Sequence, residues 1–190
     1  KEYVETYQKF EDENREKIYK HINPKVEIQQ DRKESIQLIS GKTIFDPARN
    51  VFNKGMLHVF RDVIRLIQKE LEVKHTVLLR GRRFSGKTYI LSSLVEYYKN
   101  RDVLYFPSDT FIDEDVVEQI LSEQKNSVLL FDSNSITQEV YYLLIEKYAE
   151  FEKRDNYLVV AINSNDVYLL TKLRCNILDV QNTFSADEIA

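Results

Sequence analysis

Glycine, cysteine and methionine are scarce in this chain, with four, one and one in 190 residues. The lone Cys175 excludes a disulfide framework, and His21, His58 and His75 are scattered without metal-ligand spacing. No apolar run reaches membrane-spanning length and no signal-peptide pattern is present. These absences predict a reduced, cytoplasmic setting with no membrane contact. Neither sign of charge dominates, since the formal net charge is −4, which gives no global reason to expect a nucleic acid or an acidic membrane. The only methionine is Met56 and the sequence starts at Lys1, which reads as a piece of a longer polypeptide. With 43% apolar and 31% charged residues, 190 residues suit one ordinary globular domain around a single core.

Because glycine is rare, its placement is informative. Two of the four lie in Gly81-Arg82-Arg83-Phe84-Ser85-Gly86-Lys87-Thr88, which fits the phosphate-loop pattern G-x-x-x-x-G-K-[ST] at every fixed position. Such a loop must turn so that successive backbone N–H groups converge on a polyphosphate, and a Cβ at the glycines would obstruct the wrap. The lysine then reaches the β and γ phosphates, the hydroxyl binds Mg²⁺, and the following helix aims its positive N-terminus at the anion. The flanks agree: Thr76-Val77-Leu78-Leu79 is a short apolar run before the loop, and Tyr89 to Tyr98 has helical apolar spacing after it. The cofactor-binding residues are thus Gly81 to Thr88 with Tyr89. Gly41-Lys42-Thr43 repeats only the end of the motif, with Ile36 where the first glycine belongs, and is read as chance. Arg80, Arg82 and Arg83 form a local basic cluster, either a solvated rim, nucleotide contacts or a DNA-binding patch.

Residues 1–54 read as a helical and extended lead-in. Tyr3, Tyr7, Phe10, Ile18 and Ile22 have near-helical spacing that stops before Pro24, the signals from Lys25 to Asn53 are mixed, and Asp46-Pro47 marks a turn. A helix is predicted next from Met56, Val59, Phe60, Val63, Ile64, Ile67 and Leu71. After the loop helix come the strand Val103-Leu104-Tyr105-Phe106, stopped by Pro107, and a helix over Asp113 to Gln124. Val128-Leu129-Leu130-Phe131-Asp132 then has the form of a buried parallel strand whose C-terminal end presents a carboxylate to Mg²⁺, although a plain turn residue fits the same place. Ser135 or Thr137 can cap a helix carrying Val140, Leu143, Leu144, Tyr148 and Phe151. The strand Tyr157 to Ile162 ends at Asn163. A short helix with Val167, Leu169 and Leu170, the strand Ile177 to Val180, and the capping box Ser185-Ala186-Asp187-Glu188 complete the order. Five apolar strands alternating with helices predict an α/β fold with a parallel sheet covered on both faces. Ligands on such sheets gather at the carboxyl ends of strands, where the loop, Asp132 and Asn163 all fall.

The order of these motifs resembles the additional-strand class of P-loop NTPases, the AAA+ proteins and their STAND relatives, over about residues 55–190. Tyr157-Leu158-Val159-Val160-Ala161-Ile162-Asn163 looks like the sensor 1 strand, and Leu173-Arg174-Cys175-Asn176-Ile177-Leu178 resembles the arginine-bearing segment of clamp-loader-type members. The resemblance implies a three-layer sandwich with a five-stranded sheet in the order 5-1-4-3-2, binding ATP or ADP with Mg²⁺. It implies that Lys87 neutralises the β and γ phosphates, Thr88 and Asp132 hold Mg²⁺, Asn163 orients the attacking water or senses the γ phosphate, and Arg174 acts on a neighbouring subunit's nucleotide. A surface charge at Arg174 and a strand-end turn at Asn163 are the plainer readings.

Two positions depart from the family. Ser133 stands where an acidic residue normally follows the Asp132 position, which predicts slow hydrolysis, because a hydroxyl is no general base at neutral pH without help. Phe84 stands where many AAA+ loops carry glycine. The family's helical lid is expected beyond Ser185. The function expected is therefore an ATP-binding switch or assembly engine within a larger multidomain protein, with self-association or contact to other domains. A small-molecule phosphotransferase and a non-catalytic scaffold are the alternatives.

Overall fold

The computed structural model describes residues 22–29, 44–55, 61–108, 110, 112–165 and 175–181, together with positions 9, 12 and 13. Its centre is a five-stranded, all-parallel sheet. Three strands precede it: β1 (Lys25–Gln29), β2 (Phe45–Asp46) and β3 (Val51–Gly55). The main sheet is built from β4 (Thr76–Gly81), β5 (Asp102–Phe106), β6 (Ser127–Phe131), β7 (Tyr157–Asn163) and β8 (Asn176–Asp179), in the spatial order β5-β6-β7-β4-β8. Counted along the main sheet alone and from its β8 edge, that is 5-1-4-3-2, the order the resemblance implies.

The helices are α1 (Asp62–Lys74), α2 (Lys87–Tyr97), α3 (Glu114–Glu123), α4 (Gln138–Glu146) and α5 (Tyr148–Lys153). Near-continuous apolar strands are what a sheet covered on both sides requires, and each strand divides its side chains between two cores. Val77 and Leu79 of β4 join Ile64, Ile67 and Leu71 of α1 and Ile90, Leu91 and Leu94 of α2 on one face. Leu78 points the other way, with Leu129 and Phe131 of β6, into the core shared with α3, α4 and Phe151 of α5. At about 1.5–3 kcal/mol for each fully buried Ile or Leu side chain, the i, i+3, i+7 stripe of Ile64, Ile67 and Leu71 is ample to hold α1 on the sheet. The result is the expected three-layer sandwich.

Within the stretch of mixed signals from Lys25 to Asn53, the described residues include a small sheet, with β3 pairing parallel to β1 and antiparallel to β2. The Asp46-Pro47 turn is present: Asp46 Oδ1 accepts from the backbone N–H groups of Ala48 at 3.0 Å and Arg49 at 3.3 Å. This sheet packs on the α1/α2 face. Phe45 and Phe52 stand 4.6 and 4.5 Å from the Tyr105 ring of β5, and 4.8 Å from each other. Lys54, buried in β3, forms an ion pair with Glu96 of α2 and donates to Ser93 Oγ at 3.2 Å.

One expected helix is divided. The run from Val140 to Phe151 breaks at Lys147, whose φ of −86° and ψ of 6° end α4 and start α5. On the far side of the break the Tyr148 hydroxyl donates to Lys74 O at the end of α1 (2.7 Å), and Phe151 is buried. Apolar spacing alone does not register this local jog. Tyr3, Tyr7, Phe10, Ile18, Met56, Val59, Phe60, Val167, Leu169, Leu170, Arg174 and the Ser185 capping box lie outside the described residues. No helix among the described residues is long and apolar enough to cross a membrane.

Candidate functional site

The loop between β4 and α2 is shaped by contacts that only its particular residues permit. A Cβ on Gly81 would sit 2.4 Å from Ser85 Oγ and 3.2 Å from Val180 Cβ, so a side chain here would force Ser85 and Val180 to shift. Gly86, at φ +90°, adopts the left-handed conformation and serves as the N-cap of α2. Both fixed glycines of the motif therefore have separate local reasons. Ser85 is buried, and its Oγ has no hydrogen-bond partner within the loop it packs against. No side chain caps the start of α2, and its first turn contains no acidic residue. The first turns of α1, α3, α4 and α5 each carry at least one. A helix N-terminus with no side-chain cap and no acidic residue in its first turn is what an incoming anion needs.

Lys87 is the first residue of α2 and only 5% exposed. Its ammonium donates to Gly81 O at 3.0 Å, to Arg82 O at 2.9 Å and to Asn163 Oδ1 at 3.3 Å. Asn163 reaches it because β7 lies beside β4 in a register that pairs Gly81 with Asn163. The Asn163 amide in turn donates to Asn134 Oδ1 at 3.0 Å, in the turn after β6. A polar chain thus runs from the loop lysine through the end of β7 to the segment that follows Asp132. Lys87 and Asn163 are both candidate site residues by sequence pattern, and the fold joins them directly. Asn134 carries no such pattern; its φ of +62° places it in a turn where asparagine is favoured.

Asp132 follows the last residue of β6 and is 1% exposed. Its Oδ1 accepts from its neighbour's backbone, Ser133 N–H, at 2.7 Å, and its Oδ2 accepts from the Tyr105 hydroxyl at 2.8 Å. Burial, followed by the carboxylate's charge and hydrogen bond, holds the Tyr105 phenol far above the ordinary range. Ser133 is half-buried, and its carbonyl accepts from Ser108 Oγ at 2.7 Å. Thr88 and Tyr89 occupy the first turn of α2; the Tyr89 ring lies 5.2 Å below the Lys54 ammonium. Arg82 and Arg83 are exposed at the loop tip.

Phe84 is 94% exposed and holds φ at +64°, a left-handed conformation that glycine adopts freely. The departure from the family pattern therefore falls on a position where the backbone still wants glycine. Its ring has the Arg83 guanidinium 5.4 Å away.

Arg61 is a residue that the motifs do not single out. It is 7% exposed, stands at the N-cap of α1, and donates from Nη2 to Gln181 O at 2.9 Å. Its Nη1 lies 3.9 Å from where a Gly86 Cβ would be, which brings a buried guanidinium to the phosphate loop. A signal for it exists: an arginine where a helix start prefers Ser, Thr, Asp or Asn, and at the end of the helix dipole that disfavours a cation. Arg80, from the same basic cluster as Arg82 and Arg83, is turned instead to Asp179 of β8, to which it makes two hydrogen bonds of 2.6 and 2.8 Å.

Among the described residues no group of three or more His, Cys, Asp or Glu side chains could hold a metal ion by itself. Mg²⁺ needs no such group, since it characteristically takes one or two protein oxygens and completes its shell with phosphate and water. Thr88 and Asp132 are the protein oxygens on offer, and the cradle closed by Gly81 and Gly86 fits a polyphosphate.

No protein-family model matches the chain. No curated protein matches it. Solved structures similar to it include the RuvB Holliday junction branch migration motor of Thermotoga maritima, at 19% identity and a TM-score of 0.48, covering 69% of this chain and 48% of that one. A mutant of that RuvB matches at 17% and 0.45, over 70% and 49% of the two chains. PCH-2 of C. elegans matches at 14% and 0.41, over 72% and 53%. The chain spans about half the length of the chains it matches.

Proposed function

We propose that this chain is an ATP-binding P-loop ATPase module of the AAA+/STAND type, acting as a slow nucleotide-dependent switch or assembly engine within a larger protein. The observation that carries the reading is the loop of residues 81–88: two glycines fixed by sterics and backbone conformation, an uncapped helix start, and a buried lysine folded over the loop against Asn163. In the bound state the Lys87 ammonium exchanges the Gly81 and Arg82 carbonyls for β and γ phosphate oxygens, which are stronger, charged acceptors. The backbone N–H groups at the start of α2 take the remaining phosphate oxygens. Thr88 and Asp132 hold Mg²⁺, which supplies charge neutralisation at the phosphates.

The hydrogen bonds of Asn163 to Lys87 and Asn134 support the reading that it contacts the γ phosphate or orients water. Arg61 adds positive charge beside Gly86. Arg174, by the clamp-loader-like sequence around it, would serve a neighbouring copy's nucleotide. With Ser133 after Asp132, no carboxylate is supplied at the usual place for water activation, so turnover is slow.

Phosphate release from Mg-ATP, compared between the wild type and Ser133→Glu, tests this. Slow release that rises at least about a hundredfold in the variant is expected, the lower end of the 10²–10⁴ range that a positioned general base contributes. Fast release by the wild type would overturn the slow-switch reading.

A further inference from the structure

The Asp132 carboxylate is held from behind by a tyrosine on the neighbouring strand. Tyr105 lies on β5, whose register beside β6 sets Phe106 against Phe131, so Tyr105 and Asp132 sit close together near the strand ends. The hydroxyl donates to Asp132 Oδ2 at 2.8 Å, and both residues are almost fully buried. The Tyr105 ring is clamped in turn by Phe45 of β2 and Phe52 of β3, which pack at 4.6 and 4.5 Å in edge-on and tilted geometry. Such aromatic packing restricts ring motion and so fixes the direction of the O–H. The small sheet β1–β3 therefore reaches the candidate magnesium carboxylate through one side chain.

We propose that Tyr105 is a positioning residue for Mg²⁺: by occupying Oδ2 it fixes the carboxylate plane of Asp132, and the Phe45/Phe52 pair from the N-terminal sheet holds Tyr105 in place. The inference rests on the reading of residues 81–88 as a nucleotide loop. The physical ground is general. A carboxylate anchored through one oxygen by a rigid donor does not rotate away from its ligand, and outer-shell donors of this kind commonly change metal affinity by about 10–100-fold when removed. Tyr105→Phe removes the hydroxyl and keeps the aromatic trio. A purely structural tyrosine and a positioning tyrosine therefore differ in what this variant does to Mg²⁺ dependence.

The test is fluorescent ATP-analogue binding to the whole chain, without Mg²⁺ and across a Mg²⁺ titration, for wild type, Tyr105→Phe and Phe45→Leu, with thermal unfolding recorded on the nucleotide-free proteins. Expected is Mg²⁺-free nucleotide affinity within about twofold of wild type and a Mg²⁺ midpoint raised about tenfold or more in Tyr105→Phe. Phe45→Leu, which keeps the hydroxyl and loosens its packing, shifts the midpoint in the same direction by less. An unchanged midpoint in Tyr105→Phe, with or without lowered thermal stability, overturns the positioning role alone. A wild type that binds no nucleotide overturns the loop reading and this inference with it.

Discussion

The Lys87 ammonium donates to Asn163 Oδ1 at 3.3 Å, joining the start of α2 to the end of the neighbouring strand β7. This contact exists because β7 is inserted beside β4, in register with Gly81, although about eighty residues separate them in sequence. It places a neutral amide, which can both accept from lysine and donate to Asn134, next to the ammonium proposed to meet phosphate.

Asn163→Ala is therefore expected to lower affinity for ATP more than for ADP. Loss of one hydrogen bond to a charged group is worth about 1.5–3 kcal/mol, so the ATP-over-ADP preference should fall roughly tenfold or more. Competition binding of the two nucleotides to the variant measures it. Equal losses for both would show that Asn163 does not sense the terminal phosphate.

Gly81→Ala should destabilise the chain by about 1–3 kcal/mol, as overpacking of a tight site does, because its Cβ meets Ser85 Oγ at 2.4 Å. Ser85→Ala removes that oxygen, so the double variant should recover part of the loss. Urea unfolding of the single and double variants reads the coupling directly. Strict additivity would mean that the clash with Val180, at 3.2 Å, dominates instead.

Phe84→Gly is expected to stabilise the nucleotide-free chain. The left-handed backbone costs a side-chain-bearing residue about 1–2 kcal/mol, glycine's extra freedom in the unfolded chain returns about 0.5–1, and an exposed ring gives up little packing. A rise in Tm of a few degrees follows, at about 2–4 °C per kcal/mol for a domain of this size. Phe84→Val should show no such gain, and calorimetric scans of both variants decide.

Burial pushes the Cys175 thiol from 9.0 up to about 11, against smaller lowering effects from Lys74 and the Leu78 backbone. The folded protein thus holds this proton more tightly than the unfolded chain. Its contribution to stability is complete below pH 9 and is lost as pH rises toward 11. At pH 8 the folded thiol carries about a hundredfold less thiolate than a free one, so alkylation by iodoacetamide should be slower in proportion. Alkylation as fast as that of the urea-unfolded chain would contradict the burial.

Much of the main sheet is legible in the sequence because buried parallel strands leave a local record: short apolar runs, each ending at a polar residue. Val128 to Phe131 followed by Asp132, and Tyr157 to Ile162 followed by Asn163, are of this kind. The loop is legible because its glycines answer to local geometry. What the sequence conceals depends on partners distant along the chain. Residues 25–55 give mixed signals because β1 and β3 are short and pair with each other across an intervening stretch, and Lys54 in a strand looks polar until Glu96 and Ser93 are brought to it. Tyr105 reads as an ordinary strand residue, since nothing in its neighbourhood along the chain announces Asp132. Arg61 does leave a trace, a cation at a helix start, but its neighbour Gly86 is 25 positions away.

Calorimetric titration of Mg-ATP and Mg-ADP into the chain and into Lys87→Ala tests the central claim most directly. The account predicts one site for each nucleotide in the wild type, and a loss of about tenfold to a hundredfold or more in a variant that still unfolds cooperatively, since Lys87 would supply charge-assisted bonds worth about 1.5–3 kcal/mol each. Equal affinity in the two proteins, or no heat of binding to the wild type, would contradict it.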